Sequence, residues 1–340
     1  MSVGYVYDPI CLQHETGSFP ENAQRLVAIM DRLRQADLLE RMTPIAGERA
    51  TIQDLTRIHA LELVERVQYL SQIEGGYDDP DIVVSAGTYE AALHAAGGTI
   101  AATRAVLEGQ VESAWALVRP PGHHATHREA MGFCFFNNIA IAAAWALATR
   151  GLERIAIVDF DVHHGNGTAE AFQDDGRVLY ISLHQYPYYP GTGHWREKGR
   201  GAGQGTLLNI PLPAGSGDKA YDLAFTQLVE PMVRRFRPQL ILVSAGYDAH
   251  WADPLAWMLV SLAGYRRMAD ALVGLARELC GGKLVFVLEG GYHLAVLGHG
   301  VATTVCAMLG LPYEDPFGLA REQERPVDRL IGEIARWHGL

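Results

Sequence analysis

The 340-residue chain has little cysteine: four in all, Cys11, Cys134, Cys280 and Cys306, with no CxxC pair. That spacing excludes a disulfide framework or a cysteine zinc site and suits small buried residues in a reducing cytosol. Positive charge is also short, with 28 Lys and Arg against 39 Asp and Glu, a formal net charge of −11. Non-specific nucleic-acid binding needs the opposite balance. An acidic surface favours cationic partners only through a weak, salt-screened field. The longest apolar stretch, near residues 139–147, is too short to cross a bilayer, so no membrane partner is expected. The opening MSVGYVYDP has no basic flank and no apolar run, so the expected location is cytoplasmic. Repeats, low-complexity tracts and Pro/Gly/Ser linkers are missing as well. One domain is therefore expected, with residues 1–312 as its body and the more charged 313–340 as a peripheral extension.

What is present is a 49% hydrophobic chain, enough for a sizeable core, in which apolar runs alternate with helical patterns. Strand candidates are 114–118, 154–160, 178–183, 207–210, 240–244 and 284–288. Helical patterns occupy 138–148, 221–236 and 264–279, and an early one covers 21–38 with Leu26, Ile29, Met30 and Leu33 on one side. Continuous apolar strands between amphipathic helices predict an α/β fold with a parallel sheet covered on both faces. Polar residues gather where the strands end, as RPPGHH, DVHHGNGT, SLHQYPYYPGTG, SAGYDAH and LEGGYH. Ligands of open parallel sheets bind outside the carboxyl ends of the strands, so these five ends are expected to share one rim.

The stretch DFDVHHGNGT, residues 159–168, sets two carboxylates and two imidazoles in six residues at the end of an apolar run. Buried charges at such a place need a partner or a metal. Mixed nitrogen and oxygen donors suit zinc, and a catalytic zinc keeps three protein ligands and an open position. Asp161 and His163 supply two, and Asp248 in SAGYDAH is the natural third. Asp159 is then left to orient a neighbouring imidazole. Amide hydrolysis also needs a group that takes and returns a proton, which His123 and His124 of RPPGHH can do if Asp159 and Asn166 fix their tautomers. Tyr292, after the conformationally free Gly290 and Gly291, is a candidate oxyanion donor. Phe133 and Tyr189, in loop-like aromatic segments, are candidate walls of a narrow apolar channel.

In this order the motifs resemble the zinc-dependent histone deacetylase and acetylpolyamine amidohydrolase family, over roughly residues 1–310, in a class II-like, bacterial-type form. The resemblance implies a single-domain arginase/deacetylase α/β fold and removal of acetyl or larger acyl groups from lysine or polyamines. It implies zinc on Asp161, His163 and Asp248, with His124 as base and then acid and His123 as its electrostatic partner held by Asp159. Tyr292 would polarise the carbonyl, and Gly132, Phe133 and Tyr189 would line the acyl-lysine channel. Leu255, Gly290 and Gly291 join the expected substrate contacts, and Arg25 of PENAQR matches a residue at the pocket's inner end. A structural K+ or Na+ is implied near Asp159, Asp161, His163 and Ser182. Either Asp79 or Asp81 would hold the substrate backbone at the rim. Asn166 stands where some relatives carry aspartate, which should leave His124 less basic. Leu255 lies near a glutamate gatekeeper position of one polyamine-preferring branch, and mildly disfavours that selectivity.

The expected partners are an acylated lysine peptide or protein, or an acetylated polyamine; self-association as a homo-oligomer stays open. Two other readings compete. A two-manganese ureohydrolase needs carboxylates where Gly165 and His250 stand. A non-catalytic acyl-lysine binding module would be expected to have lost a ligand, a histidine or the tyrosine, and none is lost.

Overall fold

The computed structural model describes residues 2–73, 75 and 79–340. Among them eight strands form one sheet: β1 Val3–Tyr7, β2 Met42–Ile45, β3 Ser113–Leu117, β4 Ile155–Asp159, β5 Val178–Gln185, β6 Leu207–Leu212, β7 Leu240–Ala245 and β8 Leu284–Leu288. Their order is β2-β1-β3-β8-β7-β4-β5-β6, and every pairing is parallel. The six expected strands are all present within a residue or two. The sequence reading missed β1 and β2, which form one edge.

Side chains alternate across each central strand and feed two separate cores. Ile155 and Ile157 of β4 join the core beneath helices Thr88–Leu107 and Asn138–Arg150. Ala156 and Val158 join the core shared with helices Gln24–Gln35, Leu262–Cys280 and Leu294–Leu309. Burial on both faces is why these strands read as unbroken apolar runs. Helix Leu262–Cys280 begins where Ser261 Oγ accepts from Gly264 N and ends at Gly281 in the left-handed conformation. The helical pattern at 221–236 resolves into Asp218–Ala224 and Glu230–Phe236, joined by one π-helical turn, Phe225–Val229. The charged end of the chain also docks: helix Asp328–His338 buries Ile331 and Ile334 in the second core. No described helix is long and apolar enough to cross a membrane.

Because the sheet is parallel, β3, β8, β7, β4 and β5 stand side by side and all end at one edge. The five polar segments named above follow those ends. The sheet therefore brings together motifs separated by up to about half the chain.

Two buried imidazoles make the fold acid-sensitive. His59 donates from Nδ1 to the Thr126 carbonyl at 2.8 Å, and its Nε2 accepts from Asn137 N at 2.8 Å. Only the neutral ring can do both. Burial lowers His59 and His14 from 6.5 to about 4. The unfolded chain takes up these protons near 6.5 while the fold resists them until about 4, so stability is full above 6.5 and falls as the pH drops through that window. The expected loss is on the order of 3 kcal/mol per group at pH 4. Urea midpoints measured at pH 7, 5.5 and 4.5 check it; a flat profile contradicts it.

Candidate active site

β4 ends at Asp159, so the strand alternation does not run on to His163 as a fully extended chain would require. A bend at Asp161–His163 does the work instead, with Asp159 Oδ1 accepting from Asp161 N at 3.1 Å. Asp161, His163 and Asp248 converge behind it, all buried, with candidate ligand atoms within 4.8 Å of one another. His163 Nδ1 lies 3.2 Å from Asp161 Oδ1 and 3.3 Å from Asp248 Oδ2. A tetrahedral zinc with ~2.05 Å bonds has ligand-to-ligand edges of ~3.3 Å, so the spacing fits one ion. Asp248 Oδ2, buried, makes no hydrogen bond. Burial and the charge of Asp161 push Asp248 up to about 6, the strain a cation would relieve. Among the described residues this is the one cluster of its kind.

The two positions where a two-manganese site needs carboxylates hold Gly165 and His250. A Cβ at Gly165 would lie 2.4 Å from both Asp159 Oδ2 and Tyr180 Oη, and the His250 ring packs on Phe317 with Nδ1 accepting from Ala252 N.

The histidine pair is split electrostatically. His123 Nδ1 donates to Asp159 Oδ2 at 3.0 Å. Burial alone would lower His123, but Asp159, Asp161 and Glu289 outweigh it and push it up to about 10. His124 lies 4.1 Å away, ring centre to ring centre, and is held well below its ordinary value by burial and by charges on His123 and His163. Its Nδ1 donates to Asn166 Oδ1 at 2.8 Å, which leaves Nε2 as the free basic nitrogen. The two imidazoles are thus pushed in opposite directions, His123 up by its carboxylates and His124 down by burial and its neighbours, the pattern of an assigned acid–base pair.

A cavity of about 280 Å³ opens over these groups, walled by Phe133, Tyr188, Tyr189, Leu255 and Tyr292, with His124, His163 and Gly132 also facing it. Gly132 (φ 54°) and Phe133 (φ 67°) both take the left-handed conformation. A side chain at Gly132 would meet His124 Cδ2 at 2.5 Å and Tyr189 Oη at 3.0 Å, so glycine is required by space as well as by φ. The turn sets the Phe133 ring edge-on to Tyr292, 5.8 Å between centres. The Tyr189 hydroxyl is buried without a hydrogen-bond partner.

Of the rim candidates, Asp81 reaches the cavity, while Asp79 Oδ1 accepts from Asp81 N. Asp159 and Ser182 are register partners across β4 and β5, and Ser182 Oγ bonds His184 Nδ1 at 2.9 Å.

Gly290 and Gly291 lie behind the cavity wall, and Arg25 lies beneath them at its inner end. Gly290 N donates to Asp161 Oδ2 at 2.7 Å, and Arg25 donates to the carbonyls of Gly291 and Glu289 while lying 5.1 Å beneath the Tyr292 ring. Gly291 (φ +111°) is the turn that Arg25 grips.

Sequence reasoning missed several supporting groups. Glu289 Oε2 accepts from Gly122 N and His123 N at 2.8 and 3.2 Å, and Oε1 accepts from Ser244 Oγ at 3.0 Å, so one buried carboxylate holds the histidine loop to β7. Asp253 Oδ2 accepts from Tyr292 N and His293 N, and its Oδ1 from Leu255 N, tying the tyrosine loop to the cavity wall. Glu21 joins Arg25 and Arg119 in a fully buried ion network. Only the polar residue inside LEGGY hinted at Glu289.

Glu289→Gln replaces an acceptor oxygen with a donor facing N–H or O–H donors. The expected result is a ~10–100-fold fall in kcat/KM and ~1–3 kcal/mol less stability, read from steady-state rates and urea unfolding.

The chain matches the histone deacetylase domain model over residues 19–308. It is 44% identical over 335 residues to a probable deacetylase of Archaeoglobus fulgidus, covering 97% of this chain and 92% of that one. It is 42% identical over 293 residues to a histone deacetylase-like amidohydrolase of Pseudomonas aeruginosa, covering 86% and 76%. The crystal structure of the HDA15 HD domain superposes with a TM-score of 0.90 at 36% identity, covering 99% of this chain and 94% of that one. Fold and relatives together define a hydrolase with the arginase/deacetylase α/β fold. The chain belongs to the histone deacetylase family.

Proposed function

We propose that this chain is a zinc-dependent amidohydrolase that removes acetyl or other acyl groups from the ε-amino group of lysine or from acetylated polyamines. The observation that carries the reading is the buried Asp161–His163–Asp248 cluster beneath a narrow aromatic cavity, with a neutral His124 beside it. The ion would be held by those three residues. Zinc, when bound, supplies the Lewis acidity that makes water nucleophilic near neutral pH and polarises the acyl carbonyl.

The protein's own groups do the rest. His124 takes the water proton at Nε2 as the nucleophile adds to the carbonyl carbon, and Asn166 holds its tautomer. The Tyr292 hydroxyl donates to the developing oxyanion. As the C–N bond breaks, His124 returns the proton to the leaving nitrogen, giving an amine and a carboxylic acid, which exchange the acid's proton to become ammonium and carboxylate near neutral pH. Charged His123, anchored by Asp159, adds positive potential beside the reacting centre. Gly132, Phe133, Tyr189 and Leu255 enclose the apolar arm, and Arg25, Gly290 and Gly291 keep the Tyr292 loop in place.

The same reading gives residues 1–312 as the catalytic body, with 313–340 as an extension of it. It includes a structural K+ or Na+ at Asp159, Asp161, His163 and Ser182, where a donating hydroxyl keeps lone pairs for a cation. It also includes a cytoplasmic setting, supported by four cysteines without a disulfide among the described residues.

The test is kcat/KM of the zinc-loaded protein on matched acetyl-lysine peptides and acetylated polyamines. Turnover that a chelator removes and zinc restores is the expected result. No acyl release from either class, nor from longer acyl-lysines, would overturn the reading.

A further inference from the structure

Large apolar side chains left in water usually mark a contact surface when they cluster. Among the described residues the two most exposed large hydrophobic side chains are Leu319, 71% exposed, and Trp257, 68% exposed. They are neighbours. Both line one groove of about 630 Å³, together with Trp251, Met258 and Phe317, and with Arg321 and Glu322.

The groove adjoins the catalytic cavity. Leu255 walls the cavity and Ala256 and Trp257 wall the groove. The Trp257 ring meets Tyr188, itself a cavity wall, edge-on at 5.5 Å between centres.

Hydrogen bonds hold the backbone of both walls. Trp257 N donates to the buried Gln185 Oε1 at 2.9 Å, and the Trp257 carbonyl accepts from Gly215 N at 2.7 Å. The Tyr188 hydroxyl donates to the Leu255 carbonyl. Across the groove, Trp251 Nε1 donates to the Gly318 carbonyl at 3.0 Å, and Asp315 Oδ1 accepts from Phe317 N and Gly318 N. The backbone is pinned on each side while the indole and the leucine stand outside, an arrangement that loses little entropy on contact.

We propose that this groove is a specificity subsite for an apolar or aromatic side chain flanking the acylated lysine in a polypeptide substrate. The inference rests on the deacylase reading above and narrows its substrate class from small acylated amines to peptides. Adjacency to the cavity decides the occupant: a cavity of about 280 Å³ takes the acyl-lysyl arm and leaves the rest of the substrate outside, and Leu255–Ala256 and the Tyr188–Trp257 contact put the groove next to that opening. One tryptophan and one leucine offer about a few hundred Å² at most, short of the ~800 Å² per partner that a stable dimer buries.

The experiment compares a capped Nε-acetyl-lysine amide with pentapeptides Gly-Gly-Lys(acetyl)-Gly-Gly carrying Phe or Leu at each flanking position in turn. The wild-type protein should prefer an apolar flank at one or two positions by ~10-fold or more in kcat/KM, mostly through KM. Trp257→Ala and, independently, the surface change Leu319→Ser should erase that preference, with rates on the capped lysine within about twofold of wild type. Turnover of the capped lysine with no flank preference overturns the subsite and leaves the deacylase reading standing. A preference that survives both substitutions overturns it too. No turnover of any acyl-lysine substrate overturns the deacylase reading and this one with it. A dimer seen by sedimentation that Trp257→Ala converts to monomer assigns the groove to a second copy and overturns the proposal.

Discussion

His124→Ala is expected to lower kcat on an acetyl-lysine peptide by ~10³-fold while the metal content per chain stays at the wild-type value. The two halves of that result have separate causes. His124 is outside the Asp161, His163, Asp248 cluster, and its Nδ1 is committed to Asn166, so its removal takes no ligand away. What is lost is the free Nε2, the one neutral, cavity-facing imidazole nitrogen with a tautomer already chosen. His123 is poorly placed to take over, because its Nδ1 is committed to Asp159, its carboxylate neighbours push it up, and it does not line the cavity. Rates and metal analysis on the same preparation decide the matter. Activity within tenfold of wild type would remove His124 from the role of base.

Asp248→Ala should fail differently, losing the metal first and the activity as a consequence. Asp248 Oδ2 is buried without a hydrogen bond, and the carboxylate is pushed up to about 6, so without a cation it is a burden on the fold. Zinc at 100 times its Kd adds ~2.7 kcal/mol to the stability of a protein with one intact site. The expected outcome is a zinc-dependent rise in Tm for the wild-type chain and none for the variant, with activity down more than ~100-fold. A variant that keeps both its metal and the zinc-dependent Tm rise would place the third ligand elsewhere.

The sheet was legible because burial on both faces leaves a plain mark, unbroken runs such as RIAIV. Helix Thr88–Leu107 was not, since it is buried on most sides by alanines and glycines and carries no polar stripe to set a period. Helix Leu294–Leu309 escaped for the same reason. β1 and β2 are short, and Tyr5, Tyr7 and Pro44 dilute their apolar pattern.

At the site, the candidates His124, Gly132, Phe133, His163, Tyr189, Leu255 and Tyr292 share one cavity, because chemistry restricts which residue types can serve there, while Phe19, Pro20 and Tyr188 line it too and carried no such mark in the sequence. Glu289 and Asp253 were missed because they act on backbone N–H groups of other loops, a relation no local spacing reveals. Gly290 and Gly291 were named as substrate contacts and sit one layer behind the cavity, beside Arg25, which was expected at the pocket's inner end. A motif marks a neighbourhood more sharply than it marks depth.

The pairing of β3 with β8 joins Ser113 to Leu284, and that of β4 with β7 joins Asp159 to Ser244. Such remote partners give the chain a high contact order, so loop entropy is lost long before these contacts form, and folding should be slow. No fragment that ends before β7 can hold the cluster of Asp161 and Asp248, because Asp248 follows that strand. A cation held there should therefore act late, as a lock on a finished fold, and never as the seed from which the chain condenses.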